Sequence, residues 1–152
     1  MNEQKGEILY YKTGELKYEG TLDSHRQMHG YGVLYKKTGT KRYVGQFKHG
    51  KITGEGTLYN DHETKIYHGG FDDSAYHGFG KSYYDNGILE YEGYFDDGFR
   101  LGEGTLYYTT GKVYKQGVWK NDCLINGLTF FYYQEKSIIF KDDVLVSMPF
   151  VT

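Results

Sequence analysis

Residues 91–111, YEGYFDDGFRLGEGTLYYTTG, hold two short aromatic stretches, Tyr91-x-Gly93-x-Phe95 and Gly102-x-Gly104 to Tyr107-Tyr108, with a polar segment between them. In an extended strand successive side chains point to opposite faces. Tyr91, Gly93 and Phe95 therefore share one face, and Glu92 and Tyr94 the other. The pattern predicts two short strands, Tyr91 to Phe95 and Gly102 to Tyr108, joined by a polar loop from Asp96 to Leu101, with a turn at Gly111 leading onward. A glycine between two aromatic positions leaves a gap on the pleated surface into which a neighbouring ring can lie, although it weakens the strand itself. No apolar stripe of helical period occurs, so helix content is expected to be negligible.

The same unit recurs. Tyr18-Glu-Gly20, Tyr43-Val-Gly45, Tyr67-His-Gly69 and Tyr91-Glu-Gly93 open four copies, and Gly45, Gly69, Gly93 and Gly117 are each 24 apart. Gly20 to Gly45 is 25, and the extra residue falls in the first loop, between Leu22 and Gly30. The second strand of each copy carries Gly30-Tyr-Gly32, Gly54-Glu-Gly56, Gly78-Phe-Gly80 or Gly102-Glu-Gly104, followed by Tyr35, Tyr59, Tyr83 or Tyr107. The connecting turns hold Gly14, Gly39, Gly87 and Gly111, while the copy at Glu63 lacks the glycine. A fixed period of this size marks a repeat array.

Tyr-x-Gly-x-aromatic, then Gly-x-Gly, then tyrosine resembles the MORN (membrane occupation and recognition nexus) repeat. His29-Gly30-Tyr31-Gly32 and His77-Gly78-Phe79-Gly80 match its second strand closely. The spans YYKTGELKYEG and YYDNGILEYEG look more like the variant repeats of bacterial proteins, some of them antitoxins. The resemblance covers roughly residues 6–133. It implies an all-β fold, an elongated single-layer antiparallel meander of stacked β-hairpins. Leu22 replaces the first copy's aromatic, and the fifth copy has Lys115 where tyrosine is expected, with Tyr114 one place early and Asn126-Gly127 in place of Gly-x-Gly. The expected organisation is one domain over 1–152: a half-repeat cap at 6–17, four repeats over 18–113, a degenerate fifth over 114–136, and a cap or tail over 137–152. Residues 1–5 are expected to fray, and Met148-Pro149-Phe150-Val151 to fold back over an edge or else dock elsewhere.

Composition narrows this picture. Of 152 residues 38% are hydrophobic, and tyrosine supplies 18 residues, which suits a thin aromatic core better than a thick aliphatic one. The 22 glycines are periodic and proline occurs once, unlike a disordered low-complexity chain. No apolar run approaches the ~18 residues of a membrane span. MNEQKGE lacks the apolar region of a signal peptide. The single Cys123 fits a reducing compartment, so the expected location is cytoplasmic, with peripheral attachment to a membrane as an extension.

Catalytic and metal chemistry is faint. The Gly-x-Gly pairs lack the third glycine and following helix of a dinucleotide site. His29 and His77 sit two units apart, roughly 20 Å by strand spacing, and are expected to hydrogen-bond a loop carbonyl or pack on a ring. His62 and His68 can meet across a turn, but two histidines make a poor zinc signal. Asp72-Asp73, Asp96-Asp97, Asn121-Asp122 and Asp142-Asp143 are expected to form an acidic ledge of solvated turns, with weak cation binding as the alternative. No nucleophile-base-acid set can be assigned, and neither cofactor nor resident metal is expected.

Charge is the feature that stands out. Residues 1–23 carry a net −2, residues 24–54 a net +7 with no acidic side chain, and residues 55–152 a net −7. The basic band is Arg26, Lys36, Lys37, Lys41, Arg42, Lys48 and Lys51. The leading reading is a non-catalytic protein-interaction scaffold, with Tyr43, Phe47, Tyr67, Phe71, Tyr91 and Phe95 as the groove and a protein or a second copy as partner. In the antitoxin-like version the partner is a toxin. The alternative is binding of acidic phospholipid headgroups through the basic band. A hydrolase is the weakest reading. Nucleic acid is not expected, because the acidic C-terminal half repels phosphates.

Overall fold

The computed structural model describes residues 6–133, 136–142 and 144–147. The expectations for residues 1–5, for Asp143 and for the 148–152 tail lie outside them. Among the described residues, thirteen antiparallel strands follow one another in a single sheet, each paired only with its neighbours in sequence. They are β1 (Glu7–Tyr10), β2 (Leu16–Leu22), β3 (Met28–Tyr35), β4 (Lys41–Lys48), β5 (Lys51–Tyr59), β6 (Lys65–Asp72), β7 (Ala75–Tyr83), β8 (Leu89–Asp96), β9 (Phe99–Tyr107), β10 (Val113–Lys120), β11 (Cys123–Tyr133), β12 (Lys136–Lys141) and β13 (Val144–Ser147). Among the described residues there is no helix. At ~4.8 Å per strand the sheet runs about 60 Å, roughly twice the length of a nine-residue strand.

The expected Asp96-to-Leu101 loop is a correction. β8 continues to Asp96 and β9 begins at Phe99, leaving only Asp97 and Gly98 between them. Both are left-handed (φ 47° and 83°), as are His49-Gly50, Asp73-Ser74 and Asn121-Asp122. Two consecutive left-handed residues make the tight turn whose twist matches that of paired strands. The first glycine of each Gly-x-Gly then absorbs the irregularity. Gly93 pairs Gly104, but Tyr94 pairs Leu101, so Gly102 (φ 67°) and Glu103 bulge out of the ladder.

The second glycine explains how one layer has a core. Glycine faces glycine across the strands at Gly20–Gly32, Gly45–Gly56, Gly69–Gly80 and Gly93–Gly104. Tyr18, Tyr43, Tyr67 and Tyr91 lay their rings flat over these bare patches. A Cβ built on Gly32, Gly56, Gly80 or Gly104 would overlap the tyrosine ring. Each hydroxyl donates to the carbonyl three residues on, at Thr21 (2.9 Å), Gln46 (3.3 Å), Gly70 (2.9 Å) and Tyr94 (3.4 Å).

Rings from successive hairpins interleave edge to face. The series is Tyr18, Phe47, Tyr43, Phe71, Tyr67, Phe95, Tyr91 and Trp119, with centroids 5.0 to 5.6 Å apart. Such contacts add about 0.5–1.5 kcal/mol each beyond area burial. Trp119 takes the place that Phe95 holds 24 residues earlier and closes the series, since Lys115 supplies no further tyrosine. Its indole N–H donates to the Gly104 carbonyl (3.0 Å).

Candidate functional site

An antiparallel meander puts alternate connections on opposite long margins. One margin carries the β2–β3 loop and the tight turns of β4–β5, β6–β7, β8–β9 and β10–β11. Each tight turn docks on the hairpin before it: the backbone N–H of Gly50, Ser74, Gly98 and Asp122 donates to the carbonyl of Met28, Ile52, Tyr76 and Arg100. Side chains reinforce the joints. His77 meets Asp96 (3.2 Å), Lys51 pairs Asp73, and Arg100 pairs Asp122 (2.9 Å). Of the acidic turns that the sequence suggested as a ledge, Asp73, Asp96 and Asp122 each meet a cation or an imidazole along this margin.

The opposite margin has its own ties. Tyr11, Tyr84 and Tyr108 donate to the carbonyls of Tyr35, Tyr107 and Phe130, one unit along. At the two intervening positions Lys36 reaches Asp61 (2.7 Å) and Asn60 reaches Asp85 (3.5 Å). Glu63, left-handed where its counterparts are glycine (φ 57°), accepts the Lys41 backbone N–H (2.8 Å).

The six rings expected as a groove divide into two sets. Tyr43, Tyr67 and Tyr91 are at most 1% exposed and lie beneath the surface. Phe47, Phe71 and Phe95 are also buried, but their edges line two clefts in series. The first cleft, ≈ 260 Å³, is bounded by Phe47, Ile52, Phe71, Tyr76 and Arg42. The second, ≈ 400 Å³, is bounded by Tyr76, Phe95, Arg100, Asp85, Glu90 and Asp122. Tyr76 is common to both. The tyrosines are thus core, and a groove contact would fall on the phenylalanine edges and on what flanks them.

Local departures from the repeat shape the second cleft. Leu34, Leu58 and Leu106 face the tyrosine ladder from neighbouring strands, but the equivalent place between Tyr67 and Tyr91 holds the smaller Ser82. Tyr76 stacks on Tyr67 at 3.7 Å, with the rings parallel within 1°. Arg100, the residue 24 positions later, places its guanidinium 5.7 Å from the Tyr91 ring and 4.8 Å from Trp119. Arg100→Ala should destabilise the fold by about 1–2 kcal/mol. It should also shift emission from Trp119, the single tryptophan, to the red as solvent reaches the ring.

The basic band does not form one patch. Arg26, Lys48 and Lys51 lie along the tight-turn margin, whereas Lys36, Lys37, Lys41 and Arg42 lie at the other end of β3 and β4. The two groups are separated by about the length of a strand, roughly 25 Å.

The histidines divide as well. His68 Nδ1 meets Thr57 Oγ1 (2.9 Å), while His62 sits in the turn where its backbone N–H donates to Asn60 (3.0 Å). The cluster that the sequence reading did not assemble is Asp23, His29 and His49. Each offers one ligand atom, and these atoms lie within 4.8 Å of one another. His49 Nδ1 donates to Asp23 Oδ2 (2.9 Å), since a carboxylate can only accept. The His25 and Gln27 backbone N–H groups both donate to Asp23 Oδ1 (2.9 Å each). The Gln27 N–H and then the His49 ring hold the Asp23 carboxyl down to about 2. The β3–β4 register, Gly30 opposite Phe47, was the available signal, because it sets His29 beside the turn that holds His49.

No curated protein matches the chain. The family model described as MORN repeat matches four times, over residues 27–41, 43–64, 67–88 and 91–113. MORN repeats are generally associated with binding proteins or membrane lipids. With matched residues spanning more than half of its length and the hairpin array they predict in place, the chain belongs to the MORN-repeat family.

Proposed function

We infer that the chain is a non-catalytic scaffold that seats an extended protein segment along its phenylalanine-edged clefts, with an antitoxin-like pairing as one version. The observation that carries this reading is the two clefts in series, with Arg42 beside the first and Asp85, Glu90 and the paired Arg100 and Asp122 around the second, where the carboxylates of Asp85 and Glu90 leave a negative balance. Strand-like segments present alternate side chains to one surface, which suits anchors separated by Tyr76. The matching partner carries apolar anchors, acidic groups toward the first cleft and basic groups toward the second. Charge of this kind steers encounter and orientation more than it sets affinity.

The test is affinity capture from the native host followed by mass spectrometry. A single stoichiometric protein supports the reading. Reversal of Lys36, Lys37, Lys41 and Arg42 to glutamate should then weaken its capture about tenfold at low salt and less at high salt. Unchanged capture would make these cations plain surface. Co-sedimentation with acidic-lipid vesicles at low salt, without a stoichiometric protein partner, would replace this reading with the phospholipid one.

A further inference from the structure

The first joint of the array differs from the others. The extra residue of the first loop turns the β2–β3 connection into a wider loop, closed by Asp23 N–H to Gln27 carbonyl (2.9 Å) and Arg26 N–H to Asp23 carbonyl (2.9 Å). That loop places Asp23 against the next hairpin's turn, where His49 stands. The equivalent turn positions further along are Asp73, Asp97 and Asn121, and the places equivalent to His29 are Thr53, His77, Leu101 and Ile125. Among the described residues this joint alone gathers three metal-ligating side chains.

Two further observations point to a ligand. His29 Nδ1 is buried without a hydrogen-bond partner. An imidazole nitrogen withdrawn from water and left unpaired carries a desolvation cost that a bound cation would relieve. The Asp23 carboxylate is oriented as outer-shell bonds orient metal ligands: two backbone N–H groups fix Oδ1 and leave Oδ2 aimed at the histidines. The His29 and His49 rings are 5.2 Å apart and tilted by 52°, so they are not stacked face to face.

We propose that Asp23, His29 and His49 bind a divalent transition-metal ion of zinc's class, with the remaining position open to solvent on the exposed side of His49. Two imidazoles and one carboxylate select zinc, cobalt or nickel over calcium or magnesium, which take oxygen ligands. At bond lengths of about 2.1 Å the ligand atoms of a tetrahedral ion stand about 3.4 Å apart. The three ligand atoms, within 4.8 Å of one another, are therefore within about 1.5 Å of that spacing. As the ion binds, His49 Nδ1 gives up the proton it donates to Asp23 Oδ2, and the ring, still neutral, carries its proton on Nε2 instead. The ion ties the β2–β3 loop to the β4–β5 turn, fastening the first hairpin to the second.

The experiment titrates ZnCl2 into chelator-stripped full-length protein by calorimetry, with CaCl2 as the comparison ion. The expected result is one saturable zinc site, a rise in the unfolding midpoint with added ZnCl2, and no comparable calcium site. His49→Ala changes an exposed turn residue, so the fold should survive it. It should weaken zinc binding by more than about tenfold. Asp23→Asn should do the same, while His62→Ala and Cys123→Ser leave binding unchanged. CoCl2 should give the intense visible bands of a low-symmetry four-coordinate ion, and these bands should vanish in His49→Ala. Zinc binding that persists in both His49→Ala and Asp23→Asn, calcium binding of equal strength, or no saturable site would each overturn the proposal.

Discussion

Gly56→Ala is expected to lower stability by more than about 3 kcal/mol, measured as a shift in the urea midpoint. The added methyl has nowhere to go. It would meet the hydroxyl and ring carbons of Tyr43. The ring cannot step aside, because Phe47 and Phe71 hold it edge-on at 5.1 and 5.2 Å and it is fully buried. Gly14→Asn is the contrasting substitution. Nothing lies within 4 Å of a Cβ at Gly14, so asparagine there meets no neighbour and costs only the backbone strain of φ 100°, about 1–2 kcal/mol. Removing the ring separates overlap from a general intolerance of side chains in the strand. In a Tyr43→Ala background, Gly56→Ala should cost little more, giving a coupling energy of about 2 kcal/mol or greater. Additive losses would mean that the glycine is there for its backbone and not for the ring.

Alkali should unfold the protein steeply above about pH 10. Burial raises the phenol of Tyr91 to about 12 and those of Tyr18, Tyr43 and Tyr67 upward as well. In the unfolded chain a tyrosine ionises near 10. The folded state therefore keeps protons that the unfolded state has released. Their contribution to stability is complete below about pH 10 and is lost as pH rises through the folded values. Each strongly shifted tyrosine removes about 1.4 kcal/mol per pH unit in that window, so Tyr43, Tyr67 and Tyr91 acting together approach about 4 kcal/mol per unit. Urea midpoints followed from about pH 8 upward, alongside tyrosinate absorbance, would read this directly. Ionisation of the ladder with the strand circular dichroism intact would contradict the buried arrangement.

Much of this architecture was legible in the residues. The regular spacing of Tyr-x-Gly and Gly-x-Gly fixes where strands run and which face carries the rings, because alternation in a strand leaves little choice. The six-residue loop was misjudged for a local reason: Asp97 and Gly98 turn the chain alone, and Gly102 uses its left-handed backbone to bulge out of the ladder instead of opening the strand. Trp119 was passed over because Lys115 disguised the fifth copy, although its distance from Phe95 is one full period. Sequence places tyrosine and phenylalanine on one face, but only geometry shows the tyrosines lying flat on glycine while the phenylalanines reach an edge to the clefts. The Asp23, His29 and His49 cluster depends on cross-strand register and on one inserted residue, and no local motif announces it.

Because every strand bonds only to its sequence neighbours, the first and last described strands sit at opposite limits of the sheet. Tension applied through the two ends would therefore not load the ladders in parallel. It would peel one strand at a time, like opening a zip from both ends, at low and nearly constant force. A tether of this build pays out length gradually, and each released hairpin can snap back onto the remaining stack when the pull relaxes.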